Sequence, residues 1–589
     1  MPGWRYAFSL PSEAVKAATP PGTVALFEHG VIQHDGTLVH RVAKYPLPTP
    51  DPADPLNWDR WRKMACMIAI CLYTFACNFI SASVAPALPV WNISFPHERK
   101  PVHDLMEFVA FNVLFLGLAN IFWVPLANVF GRRAVLVISS LILFVATVCG
   151  TALVGFDITL VVRIFQGIGS SASETVTPAV VGDLFFVHER GSWMAVYTAC
   201  LATGSVTGGI AGGYIANSLG WFEVFWVGAG LTGIACLGTV FLVPETIYDR
   251  GQHSLPIERT LPRPSRYQPR TPAPYLSLVT LPSIRLTLPS KFKWTGDPNP
   301  GLTWYHGSSS GDLALAPSDT PPTRSGKYES YLEPAEFSRI QYPPLTYAQS
   351  LRFSPYRGNV WYQFKKPWFT LCLPATWVVM LQYGGLVGGV TVISSVGPHI
   401  LSHPPYEWGE HTGLLFLGSL AGIVCGAICT GTLVDRRLKK LARSQDHGYA
   451  EPEARICILL PSLAVGTGGL LLFGLCAYFP GKNQWIGMEF GNGMVAFALT
   501  QVPSIWFSYL IDSYNQLASD CFVMICILRG LIPFSWTFFV IQWVEREGYL
   551  VPFVGFTILM TIFSLLTLPL MWFGKRMRIA TARYVVGNQ

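Results

Sequence analysis

Residues 160–191 read LVVRIFQGIGSSASETVTPAVVGDLFFVHERG, and this stretch limits what the chain can become more than any other. Its first two-thirds is an apolar helix by pattern, yet it carries Arg163, Gln166 and Glu174. Positions 163, 167, 170 and 174 fall on one stripe, because eleven steps of 100° return to within about 20° of the start. A guanidinium and a carboxylate in such a segment cost several kcal/mol if they face lipid, so they belong beside a bundle interior or a wet cavity. The helix leaves the apolar phase at Asp183 and His188-Glu189-Arg190-Gly191.

Composition supplies the surroundings. The 589 residues are 51% hydrophobic and 13% charged, against roughly 25% charged in soluble domains. Mean hydropathy is +0.38. This excludes a soluble multidomain enzyme and predicts a polytopic membrane protein. The net charge of +7 equals the excess carried by 247–366 alone, so no basic face for nucleic acid is expected. The first 57 residues lack the charged, apolar and cleavage regions of a secretory signal, which places the N-terminus in the cytosol. All thirteen cysteines lie in or beside apolar segments, as small helix residues rather than disulfide or zinc partners.

Twelve apolar segments have spanning length: 64–89, 106–127, 134–155, 158–182, 191–215, 221–243, 368–392, 411–433, 456–479, 485–510, 519–542 and 552–573. The chain divides into a cytosolic tail (1–63), a six-helix bundle (64–246), a Pro-rich disordered cytosolic linker (247–366), a second six-helix bundle (367–573) and a cytosolic C-terminal tail (574–589). With the N-terminus inside, inner loops and the C-terminal tail hold thirteen Lys and Arg, including Arg190, Arg455 and Arg578, while outer loops hold Arg99, Lys100, Lys482 and Arg546. That asymmetry fits the positive-inside rule.

Short motifs repeat at matched places. Val124-Pro-Leu-Ala-Asn-Val-Phe-Gly-Arg-Arg133 occupies the inner turn after the second span, where Gly131 permits a tight turn and Arg132 and Arg133 anchor helix ends. Gly431-Thr-Leu-Val-Asp435-Arg436 occupies the same place in the second half, which implies an internal duplication. In the fifth span Gly204, Gly208, Gly209, Gly212 and Gly213 form a close-packing face. Gly167-Ile-Gly-Ser-Ser-Ala172 matches a dinucleotide fingerprint by letter, but no strand precedes it and it lies mid-span. No phosphate loop, metal motif or nucleophile elbow is present, so no cofactor or metal is expected and any driving force comes from an ion gradient.

These motifs resemble the major facilitator superfamily, in particular its fungal drug:proton antiporter-like branch. Leu126, Ala127, Gly131, Arg132 and Arg133 match the family loop, with Val124, Asn128 and Val129 where the family has Gly, Asp and Arg. Arg163, Gln166, Gly167 and Gly169 match its fourth-span pattern, and Asp183–Phe186, His188–Gly191 and Pro244-Glu245-Thr246 match the branch. The antiporter proline of the fifth span is replaced by Gly209. The resemblance implies an all-α membrane protein of twelve helices in two pseudo-symmetric six-helix bundles, a monomer in the plasma membrane. It implies a central cavity lined by spans one, four, seven and ten, where the candidates are Asn78, Arg163, Ser170, Glu174, Gln382, Tyr383, Glu489, Asn492 and Gln501.

Glu174 is the candidate proton-exchanging group, with Gln166 beside it on the same helix. Arg163 either holds Glu174, or binds a substrate anion, or ties its helix to neighbouring carbonyls. Arg529 and Glu107 read as structural or interfacial, and Trp506, Phe507, Tyr509 and Trp536 as lipid-facing or packing residues. The function implied is proton-coupled export of a small cationic or amphipathic solute. Its alternatives are nutrient uptake or facilitated diffusion, and a non-transporting sensor.

Overall fold

Long apolar runs form helices here because every backbone N–H and C=O must be satisfied within the segment once water is gone. A computed structural model describes residues 51–153, 155–248, 346–352, 358–431, 436–437, 449–514 and 517–586, with parts of 2–49. All of these fall in one compact unit. Among the described residues, eleven helices are long and apolar enough to cross a membrane. They are α1 (Arg60–Ala87), α2 (Glu107–Phe130), α3 (Arg132–Ala152), α5 (Val187–Ser218), α6 (Trp221–Leu242), α7 (Pro374–Ser402), α8 (His411–Cys429), α9 (Glu453–Tyr478), α10 (Gln484–Tyr514), α11 (Ala518–Glu547) and α12 (Leu550–Ala582). The twelfth, α4 (Phe156–Leu184), is 29 residues long and falls short on apolarity because it carries Arg163 and Glu174. It packs against α1, α2, α3 and α11, and Arg163 and Glu174 are both buried.

Glycine sets the closeness of packing. Gly204, Gly208 and Gly212 of α5 lie against the backbone carbonyls of Phe75, Phe79 and Ser83 on α1, where a Cβ would collide. Gly209 and Gly213 point elsewhere, toward the Phe416 ring of α8 and toward Pro86. The two halves meet along α5 with α8 and α10, and along α2 with α11. In the second seam Gly117 faces Gly530 and the Cys526 carbonyl, and the Phe111 and Phe534 rings stand 5.6 Å apart.

The turn between α2 and α3 braces one half internally. Gly131 adopts φ 101°, open to glycine. The backbone N–H groups of Arg132 and Arg133 donate to the Glu245 carboxylate at 3.1 and 3.3 Å. Arg133 Nε and Nη2 donate to the Val243 and Val240 carbonyls at 2.9 and 2.7 Å, and Nη1 to that of Leu351. Arg132 pairs with Asp183. Arg132 is therefore fastened within the N-terminal half, and Arg133 ties that half to Leu351 near the end of 247–366.

Outside the helical bundle, β1 (Val24–Ala25) pairs antiparallel with β4 (Tyr449–Ala450), and β2 (Phe27–Ile32) with β3 (Leu38–Val42). Two features depart from the sequence reading. The last helix does not stop at 573 but continues, after a break at Leu566, through Thr567–Val586. Near the C-terminal end of 247–366 lie helices Tyr347–Ser350 and Val360–Phe369. Residues 249–345 and 353–357 lie outside the described residues.

The N-terminal tail is fastened to both halves. Helix Pro2–Ser9 lies on the end of α12: Arg576 Nη1 donates to the Phe8 carbonyl at 2.9 Å, and the Phe8 and Phe573 rings are 5.8 Å apart. Further on, the Val187 N–H of α5 donates to the Tyr45 carbonyl at 3.0 Å. Asp54, fully buried, accepts from the Thr49 N–H at 3.1 Å, and Tyr248 donates to Asp51 at 3.0 Å.

Candidate transport site

The charged stripe of α4 does not pair with itself. Arg163, fully buried, donates to the carbonyls of Ile80 (3.0 Å), Ser81 (2.8 Å) and Phe108 (3.1 Å) and to Gln166 Oε1 (2.9 Å). Gln166 passes the network to Thr147 at 3.2 Å. Of the three roles weighed for Arg163, the geometry matches the tie to carbonyls: it pins α4 to α1 and α2.

Glu174 instead forms an ion pair with Arg529 of α11, in the other half. Arg529 thus stands at the contact between the halves, with Glu174 as its partner. The two side chains are 1% and 9% exposed, so the pair is deeply shielded. Glu174 Oε2 also accepts from the Cys526 thiol at 3.9 Å, while Oε1 has no hydrogen-bond partner among the described residues. Both members sit one turn before a proline, Pro178 in α4 and Pro533 in α11. Proline removes the N–H that would bond the carbonyl four residues earlier, so each partner occupies the loosened point of its helix.

Above the pair, between the halves, lies a cavity of about 110 Å³. Arg529 is on its wall and Glu174 is not. Tyr383 of α7 forms part of the same wall, with the Arg529 guanidinium 5.1 Å from its ring centre and its own hydroxyl unpartnered among the described residues. Val109, Val113, Val387, Val390 and Ile423 make an apolar middle, and Ser394, Ser395 and Ser419 add hydroxyls.

The predicted lining is thus met in part. Asn78, Tyr383 and Asn492 reach the cavity. Arg163, Ser170 and Glu174 do not, and α4 contributes nothing to the wall, whereas α2, α5, α8 and α11 do. Ser170 is buried with its hydroxyl unpartnered. Gln382 serves the interior of the C-terminal half: its Nε2 donates to the Phe563 carbonyl and to Thr567 at 2.9 and 2.7 Å, and its Oε1 accepts from Trp506 at 2.9 Å. Gln501 accepts from Ser462, and Glu489 lies against Gly418 of α8. Polar residues on these helices split between cavity and internal clamps, and helix membership alone does not tell which. Trp506, Phe507, Tyr509 and Trp536 are buried packing residues.

At the end of the bundle carrying the basic loops, Asp512 of α10 accepts from Arg190 of α5 at 2.8 Å and faces Arg455 of α9 at 3.0 Å. This latch joins the halves, and the sequence reading missed it. Arg455 is read there as an inner cation and Arg190 as an inner cation and part of the His188–Gly191 run; the available signal is Asp512, an acid near the end of an apolar helix. The expected gating loops do not cross between halves in this way. Gly131 and Arg132 act within one half, Arg133 reaches from that half to Leu351 of the 247–366 segment, Arg436 is exposed, and Asp435 lies outside the described residues. At the opposite end the Tyr214 hydroxyl and His411 Nδ1 are 2.9 Å apart.

This arrangement of two helical halves, a cavity between them and an ionic contact at one end is that of an alternating-access carrier. The sequence profile of the Major Facilitator Superfamily matches residues 70–512, and the chain belongs to that family. It is 27% identical to Protein HOL1 of Saccharomyces cerevisiae, over 96% of each chain. It is 22% identical to the efflux pump radE of Floropilus chiversii, over 85% of this chain and 78% of the other. Among solved structures it resembles the proton:xylose symporter XylE, with a TM-score of 0.54 and 14% identity over 87% of this chain and 96% of that one. The protein is an integral membrane transporter of small solutes, not an enzyme, with the twelve-helix fold of its family.

Proposed function

We propose that the protein is a proton-coupled secondary transporter that moves a small amphipathic organic solute by alternating access, with Glu174 and Arg529 as the coupling pair. The observation that carries this reading is an ion pair linking the two halves at the floor of the cavity. Any solute that engages Arg529 changes the surroundings of Glu174, and a buried carboxylate separated from its cation needs a proton or another partner. The positive-inside asymmetry supports cytosolic termini, with 247–366 as a cytosolic tether between bundles. The plasma membrane and a monomer remain part of the proposal on the family resemblance.

Direction divides two readings. Export by antiport of a cationic, drug-like solute is favoured by the branch motifs and by the likeness to an efflux pump. Symport is favoured by Gly209 in place of the antiporter proline, and by a wall on which the ionisable side chains are the Arg529 guanidinium and the Tyr383 phenol, with no carboxylate. The second set concerns the cavity itself, and we take symport first.

The test uses purified protein in liposomes with an imposed pH gradient and labelled solutes. Glu174→Gln should abolish accumulation driven by the gradient while leaving solute exchange at equal pH on both sides. Accumulation unchanged by Glu174→Gln rejects the coupling role. An absence of flux with every solute, beside intact folding, favours the sensor.

A further inference from the structure

The cavity wall specifies the charge of its occupant, and this extends the transporter reading above. We infer that the cavity takes a small amphipathic monocarboxylate, held by the Arg529 guanidinium and the Tyr383 hydroxyl, and carries it together with one proton placed on Glu174.

Arg529 and Tyr383 share one wall of the site, with the guanidinium 5.1 Å from the Tyr383 ring centre. The planar fork of Arg529 matches a carboxylate in two parallel hydrogen bonds, and its Nε has no hydrogen-bond partner among the described residues. The Tyr383 hydroxyl, also unpartnered among the described residues and on a side chain 1% exposed, is a second donor on a residue of the same wall. Such buried donors require an acceptor, and an anion satisfies both where an ammonium ion satisfies neither. Past this polar floor the wall is apolar at Val113, Leu116, Val387 and Val390, which suits a short hydrocarbon or aromatic body. A volume of about 110 Å³ fits a molecule of roughly ten heavy atoms, below the size of most drug-sized ligands.

Charge balance then fixes the stoichiometry. The empty site holds one cation and one anion, Arg529 and Glu174. Around this part of α4, Cys526 of α11 donates to Glu174, Tyr73 of α1 and Tyr197 of α5 donate to the Gly169 and Ser173 carbonyls, Cys77 of α1 faces Ser170 and Ser173, and Tyr383 of α7 stands against Arg529; tyrosine and cysteine side chains add no formal charge at neutral pH. A bound carboxylate would share one guanidinium with Glu174 and leave a net negative charge in the membrane interior. A proton from the aqueous phase, bonded to a Glu174 carboxylate oxygen, restores neutrality. When the solute leaves on the far side, Arg529 returns to Glu174 and the proton departs to that phase. Solute and proton thus travel in the same direction.

Three isosteric probes test this on the purified full chain: benzoate, benzylammonium and benzyl alcohol. Binding is followed by thermal unfolding and by titration calorimetry in buffers of different ionisation enthalpy, which counts protons. Benzoate should raise the unfolding temperature and take up about one proton per molecule bound, and the other two should do neither. Glu174→Gln should still bind benzoate with that proton uptake gone. Arg529→Lys, which keeps the charge but loses the fork, should weaken benzoate by about tenfold. Benzylammonium binding with proton release would overturn the anion assignment and leave the transporter reading standing. Benzoate binding to the parent protein without proton uptake would overturn the coupling. Failure of all three probes to bind would overturn the cavity as a monocarboxylate site.

Discussion

Arg163 and Arg529 are both buried arginines in apolar helices, and their surroundings give them opposite work. Arg163 spends its donors on fixed backbone carbonyls and on Gln166. Such partners stay in place through a transport cycle, so the group is a rivet. Arg529 faces an acid in the opposite half and a cavity. Removing one member of a buried pair strands the other, so Arg529→Met should destabilise the protein by roughly 3–5 kcal/mol, read by thermal unfolding. The double variant Glu174→Met, Arg529→Met should regain most of that stability, because a shape-filling apolar pair replaces the ions. It should also remain unable to couple solute movement to a pH gradient. A double variant no more stable than the single one would show that the pair does not interact as described.

At the scale of elements, the glycine face of α5 separates into two functions that the sequence shows as one cluster. Gly212 lies on the Ser83 backbone of α1, while the nearest atom to an added methyl at Gly213 is Pro86 Cβ at 3.6 Å. Gly212→Ala should therefore cost about 1–3 kcal/mol through forced separation of α1 and α5, and Gly213→Ala should lie within about 0.5 kcal/mol of the parent. Equal losses in the two variants would refute the packing described.

The spans themselves were legible because spanning length and apolarity leave little choice of fold. The charged helix was legible too, since Arg163 and Glu174 require an interior. Their partners were not. A period of 3.6 says which residues share a face, not which neighbouring helix that face meets, and so Glu174 went to Arg529 rather than to Arg163. Likewise Gln382 and Gln501 sit on helices expected to line a cavity, yet their amides are consumed within the C-terminal half. Only Glu174-x-x-x-Pro178 and Arg529-x-x-x-Pro533, matching spacings 355 residues apart, set the two partners in the same kind of place in the sequence itself.

Across the whole molecule, the conformation is closed at the end where Arg190, Asp512 and Arg455 meet. Breaking that contact should shift the balance toward the state open at this end. Asp512→Asn weakens two charge-assisted contacts worth about 1.5–3 kcal/mol each when buried, enough to change the populations of two states severalfold or more. The readout is alkylation of a cysteine placed at Ser508, a buried position one turn above Asp512: faster labelling in Asp512→Asn than in the parent background is expected. Equal rates would show that the latch does not hold the end shut.

The fastened N-terminal tail bears on the same motion. Residues up to Ala25 are held by the C-terminal half through α12 and β4, and residues from Tyr45 onward by the N-terminal half. The hairpin of β2 and β3 lies between those anchors, like a folded length of cord between two doors. Its slack bounds how wide they swing: excising 27–42 leaves too few residues, at about 3.3–3.6 Å each, for a full stroke, and turnover should slow while the cavity keeps its affinity.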